Sequence, residues 1–145
     1  MSLSRQRITL VTLGVTDMDR ARRFYEGWGW VAHASSQPGV TIYQMNGAVL
    51  ALFGKGDLAA DQGRPGAALE TGAMTLAQNC ADDGETDAVF HAALDAGATV
   101  LKRPEKVFWG GYSGYSADPD GHVWEIATNP FWPLSPNGSL TLPDA

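Results

Sequence analysis

Cysteine is almost absent from the chain. Cys80 stands alone among 145 residues, which excludes an intramolecular disulfide and a cysteine-built zinc site and agrees with a reducing cytoplasm as the expected location. Basic charge is scarce as well. Ten Lys and Arg stand against sixteen Asp and Glu, a net charge of −6, so no broad cationic face is available to condense onto phosphates and nucleic acid is not an expected partner. No apolar run approaches the roughly 20 residues of a membrane span. No basic-then-apolar signal segment opens the chain, where Met1-Ser2-Leu3 reads as a start or a cloning remnant. Gly54-Lys55-Gly56 lacks the P-loop spacing and no G-x-G-x-x-G occurs, which leaves nucleotide binding unsupported. The three histidines, His33, His91 and His122, have no zinc spacing. What the chain has in quantity is five Trp and seventeen Gly, the composition of apolar walls joined by tight turns.

The β-branched stretch at residues 7–15 predicts a strand, after which Thr16 and Asp17 offer capping oxygens to a helix. Met18, Ala21, Tyr25 and Trp28 form one apolar stripe on that helix, and Gly27 and Gly29 end it. Residues 30–35, 40–45 and 48–53 predict three strands, the last two joined by Asn46-Gly47, a strong hairpin signal. Residues 54–72 are polar and rich in Gly and Ala, and read as a linker with one helical turn near residues 57–61. Then the pattern restarts. A strand at 74–80, a helix at 85–96 and strands at 99–101, 107–109 (extending toward Tyr112), 114–117 and 123–127 follow.

With 99–101 and 107–109 counted as one interrupted strand, each half reads β-α-β-β-β, and the two can be superposed. A shift of 68 residues lays Asp19 on Asp87, Gly29 on Gly97 and Leu10 on Gln78. A shift of 74 lays Asn46-Gly47 on Asp120-Gly121, and residues 49–52 on 123–126. The expected organisation is one α+β domain over residues 1–145, with modules at about 5–54 and 73–128, the linker between them and an extension at 129–145.

Specific segments carry a resemblance. Val11-Thr-Leu-Gly-Val-Thr-Asp17 with Arg20-Ala-Arg-Arg-Phe-Tyr25, the exit Trp28-Gly29-Trp30, the stretch Trp109-Gly-Gly-Tyr-Ser-Gly-Tyr115 and the closing Asp118-Pro-Asp-Gly-His-Val-Trp-Glu-Ile126 together resemble the vicinal oxygen chelate superfamily, the glyoxalase/bleomycin resistance/dioxygenase group. The resemblance implies two βαβββ modules that curl into a cup, and a homodimer. It also implies that metal-dependent members place ligands on the first and last strands of each module, positions that fall here on Leu10, Ala51, Gln78 and Glu125. Leu10 and Ala51 offer only alkyl groups, so no resident metal is expected, and a weakly held divalent ion would have Gln78, Glu125 and water.

Glu125, flanked by Trp124 and Ile126, is the sharpest candidate for chemistry, as a general base or as the relic of a metal site hydrogen-bonded to Gln78. Trp109, Tyr112 and Tyr115, interleaved with glycines, offer rings with polar tips suited to an aromatic or amphipathic small molecule, or a seal for the core or a dimer contact. Leu10 and Ala51 would complete the apolar floor. Two classes of function follow: a metal-free binding protein, or a lyase, isomerase or dioxygenase in which Glu125 moves a proton while Gln78 and Tyr115 steady a carbonyl or enolate. After Ile126 the Pro-broken tail is expected to pack over a sheet edge or across a partner, where Phe131 and Trp132 would close one end of the cup.

Overall fold

The computed structural model of the chain describes residues 6–144. Met1-Ser2-Leu3 and Arg5, where the first module was expected to begin, lie outside the described residues. The elements run β1 (Leu10–Val15), α1 (Met18–Gly27), β2 (Val40–Gln44), β3 (Val49–Gly54), α2 (Lys55–Asp61), β4 (Thr75–Cys80), α3 (Asp83–Asp95), β5 (Thr99–Lys106), β6 (Tyr112–Ala117) and β7 (Val123–Thr128). They build a three-stranded sheet in the order β1-β3-β2 and a four-stranded sheet in the order β4-β7-β6-β5. In each sheet the first strand of the module runs parallel to its last, β1 beside β3 and β4 beside β7. This is the expected α+β duplication.

Both main helices start and stop by the same chemistry. The Asp17 carboxylate accepts from the Arg20 N–H at the start of α1, and Asp82 accepts from Glu85 N–H at the start of α3, filling donors that a helix start leaves without partners. Both helices end in a left-handed glycine, Gly29 at φ 114° and Gly97 at φ 115°, a conformation that costs a residue with a Cβ. The next N–H then turns back, Trp30 to the Tyr25 carbonyl and Ala98 to that of Ala93.

Strand register corrects one equivalence. Leu10 opens β1 beside Val49, and Thr75 opens β4 beside Val123, so the counterpart of Leu10 is Thr75, and Gln78 corresponds to Leu13. A single shift fails because α3 has 13 residues and α1 has 10. The longer helix changes the offset between its start and its end.

Two expected strands are absent. Residues 30–36 make no ladder, although the His33 N–H reaches the Ile42 carbonyl at 2.7 Å and the Ile42 N–H reaches Ser36 Oγ at 2.9 Å. The cause is Trp30, whose ring stacks on Tyr25 and Trp28 at centroid distances of 4.8 and 5.5 Å. The half-buried indole packs against the aromatic core instead of taking a ladder position. Residues 107–111 form a hairpin turn closed by Val107 N–H on the Gly111 carbonyl, while β5 runs on to Lys106 through irregular register around Leu101 and Arg103–Pro104. Helix α2 is a full seven residues, longer than the single turn expected.

The modules share one core. Leu13 and Val15 of β1, Leu50 and Leu52 of β3, and Trp124 and Ile126 of β7 join α1 and α3 in a single buried cluster. Polar clamps cross the same boundary. The buried Tyr25 hydroxyl donates to Asp118 at 2.6 Å and accepts from Trp124 Nε1 at 3.1 Å. Trp28 Nε1 donates to the Val89 carbonyl at 3.1 Å. Asp120 accepts from the Thr16 N–H and pairs with Arg20 at 3.1 Å, and His122 Nε2 sits 2.8 Å from the Gly14 carbonyl.

Candidate functional site

β4 ends its sheet with one edge unpaired, and beside that edge the modules leave a cavity of about 730 Å³. Three indoles line it, each delivered by a different part of the chain: Trp30 from the segment after α1, Trp124 from β7 and Trp132 from the C-terminal tail. Its polar lining includes Gln78, Glu85 and Glu125. The tail is held in place by Asn46, whose amide in the β2–β3 turn donates to the Asn137 carbonyl at 3.0 Å. Sequence and cavity thus meet at a junction of both modules and the extension.

The structure brings Gln78 and Glu125 to this one cavity, though not to one face of the sheet. Register sets Ala77 beside Glu125 and Gln78 beside Ile126, and neighbouring residues on a strand project to opposite faces. The cavity reaches both because β4 is an edge. Tyr115 lies across from Glu125 on β6. Burial, then the charge of Glu125, pushes the Tyr115 phenol above its ordinary pKa, so it stays protonated beside the carboxylate.

Tyr115 and the other sequence candidates lie outside the cavity lining. Leu10 is exposed at the start of β1, and Ala51 is buried between Thr12 and Ile42. Tyr112 turns to α3 and donates to Asp87 at 2.7 Å. Trp109 folds over Gly111 so closely that a Cβ there would fall 1.9 Å from the indole. Cys80 is a buried thiol, its pKa pushed up first by that burial.

Trp30, Glu85 and Trp124 are among the lining residues that sequence reasoning did not bring to the site. Alternation along β7 places Trp124 on the face opposite Glu125, and nothing in a linear pattern marks β4 as an edge around which both faces are reached.

The donor set is poor for a metal ion. The strand positions equivalent to the family's ligand places hold Leu10, Ala51, Thr75 and Glu125, one carboxylate and one hydroxyl. Among the described residues no three His, Cys, Asp or Glu side chains gather to hold an ion. A divalent cation taking six or more oxygens would rely mainly on water here, so these residues do not fit a resident metal.

A family model described as glyoxalase/bleomycin resistance protein/dioxygenase superfamily matches residues 7–126. The chain belongs to that superfamily. A glyoxalase-related enzyme from Fulvimarina pelagi, known from a crystal structure, is 38% identical, superposes with a TM-score of 0.87, and is covered over 100% of its length by 97% of this chain. A lactoylglutathione lyase from Agrobacterium tumefaciens superposes with a TM-score of 0.67 at 21% identity, over 89% of this chain and 98% of that one, a likeness of fold. An uncharacterized protein of Mycobacterium bovis is 48% identical over 42 residues, 29% of this chain. The chain spans about a quarter of the length of the curated relatives it matches. For this superfamily member, two sheets of three and four strands and a cavity between the modules are the frame in which function is to be read.

Proposed function

We propose that this superfamily member binds a small aromatic or amphipathic molecule in the cup between its modules and does so without a resident metal. The observation that carries the reading is the cavity of about 730 Å³ with three indole walls and few polar groups, the composition of a site that holds an apolar body and orients it by one end. The size suits a drug-like molecule. Trp132, on the tail, is the wall most readily removed without disturbing the core, because it is 42% exposed. Calorimetric titration with naphthylmethanol tests the reading: saturable binding that weakens about tenfold in Trp132→Ala supports it, and the absence of saturable heat refutes it.

The pairing of Tyr115 with Glu125 favours a second reading, in which the cup is catalytic. Glu125 then takes a proton from a carbon beside a carbonyl, and the Tyr115 phenol, on the same face of the sheet, donates to the oxygen on which charge develops; Gln78, on the other face, has no part in that step. The description of the Fulvimarina pelagi relative as a glyoxalase-related enzyme agrees with this alternative. Turnover abolished by Glu125→Gln while binding persists decides for it. A homodimer in the cytoplasm is the assembly and location that accompany both readings.

A further inference from the structure

The C-terminal tail, which supplies Trp132, Leu134 and Leu140 to the β4-edge cavity, is tied down at one point. Asn46, in the turn between β2 and β3, donates its side-chain N–H to the Asn137 carbonyl at 3.0 Å. Among the described residues no other hydrogen bond joins residues 133–144 to the body of the chain. Both sides of this tie are exposed Asn-Gly pairs, Asn46-Gly47 and Asn137-Gly138. An Asn before Gly is open to cyclisation, because glycine has no side chain to screen its backbone nitrogen from the amide carbon. The two pairs differ in how that nitrogen is used. The Gly138 N–H donates to the Ser135 carbonyl at 2.8 Å, and the Asn137 side-chain oxygen accepts from Ser135 Oγ and from the Ser139 N–H at 2.6 and 3.0 Å. The Gly47 N–H donates to no partner among the described residues.

We propose that Asn46 is a site of spontaneous deamidation and that its conversion unlatches the tail. The Gly47 nitrogen attacks the Asn46 side-chain carbonyl carbon; that C–N bond forms, the bond to the amide nitrogen breaks, and ammonia leaves carrying the Gly47 proton. Water then opens the cyclic imide at either carbonyl, giving aspartate or isoaspartate at position 46, with no oxidant or reductant involved. The product cannot keep the tie. A carbonyl only accepts, so the Asn46 amide is the donor at this contact, and a carboxylate in its place sets an oxygen and a negative charge against the Asn137 oxygen. The same conversion at Asn137 would be silent, since its side-chain oxygen acts only as an acceptor and the tie uses its main-chain carbonyl. The inference does not depend on what the cavity holds.

Ageing the folded protein in mildly alkaline buffer, with peptide mass mapping at intervals, tests the site, and the guanidinium-unfolded chain incubated in parallel gives the rate of each pair without structure. The expected result is conversion at Asn46, with Asn137 still an amide when the unfolded chain has converted at both. Chymotryptic cleavage after Leu134 and Leu140 reads the latch. Asn46→Asp, checked for an unchanged melting profile, is expected to be cut about two- to tenfold faster than the parent, the rise in open population that one lost hydrogen bond gives. Asn137→Asp, with the same change in net charge, is expected to be cut at the parent's rate. Asn46 persisting as an amide when the unfolded chain has converted, or Asn137 converting first, overturns the site. Cleavage of Asn46→Asp at the parent's rate, or of Asn137→Asp as fast as Asn46→Asp, overturns the latch.

Discussion

Tyr25 shows how much one side chain carries. Its ring lies fully inside the aromatic cluster and its hydroxyl bridges Asp118 and Trp124 of the other module. Tyr25→Phe keeps the ring and leaves the Trp124 N–H without its acceptor, so a loss of about 1–3 kcal/mol is expected in a denaturant melt. The same residue sets a pH dependence. Burial first, then Asp118, raises its folded pKa far above the ordinary tyrosine value, which lies near 10. The folded chain holds this proton where the unfolded chain has lost it, so the stabilisation is complete below about pH 10 and declines as pH rises, by up to about 1.4 kcal/mol per pH unit. Melting curves from pH 8 to pH 11 should fall less steeply in Tyr25→Phe than in the parent. An equal slope would mean that other groups control the alkaline limb.

At the scale of elements, the β6–β7 turn acts as a clamp on the first module. The Asp120 side chain is almost fully buried while Arg20 is 43% exposed, so the ion pair itself contributes little after solvent screening. The Thr16 N–H at the start of α1 also uses that carboxylate. Asp120→Ala is expected to cost about 1–3 kcal/mol, whereas Arg20→Ala should cost under about 1 kcal/mol; chemical denaturation of both variants checks the ranking. The tail is the second informative element. Ending the chain after Asn129 removes Trp132 and the Asn137 contact but no strand, so the fold should persist in circular dichroism while naphthylmethanol affinity drops at least about tenfold.

Elements also divide what sequence reveals from what it hides. Asp17, Gly29 and Gly97 announce their caps because local backbone chemistry demands them, and Asn46-Gly47 marks its turn for the same reason. Trp30 misleads: its neighbours look strand-like, but its ring stacks on Tyr25 and Trp28 and the residues after it make no ladder. Residues 107–109 mislead too, since β-branched and aromatic residues there give way to Gly110 and Gly111, which close a hairpin. Glu125 and Gln78 are legible as candidates because each stands out chemically among apolar neighbours on its strand. The meeting of Trp30, Trp124 and Trp132 is not legible, since it depends on how two sheets and a tail pack.

For the whole molecule, Phe108, fully exposed, and Phe131, 63% exposed, leave apolar surface near the β5–β6 turn. Patches of this kind mark interaction sites, and a homodimer is expected. Sedimentation equilibrium should report twice the chain mass of 15.4 kDa, and Phe108→Ser combined with Phe131→Ser should shift it toward the monomer. A monomer throughout would remove assembly from the account.

An indole-lined cup that takes a small molecule with no help from a metal binds it equally with and without divalent ions. Calorimetry with naphthylmethanol, on protein dialysed against chelator and again after a divalent metal is restored, tests this most directly. Saturable binding with the same dissociation constant in both conditions, weakened by Trp132→Ala, is the expected result. Binding that appears only when metal is present would contradict it.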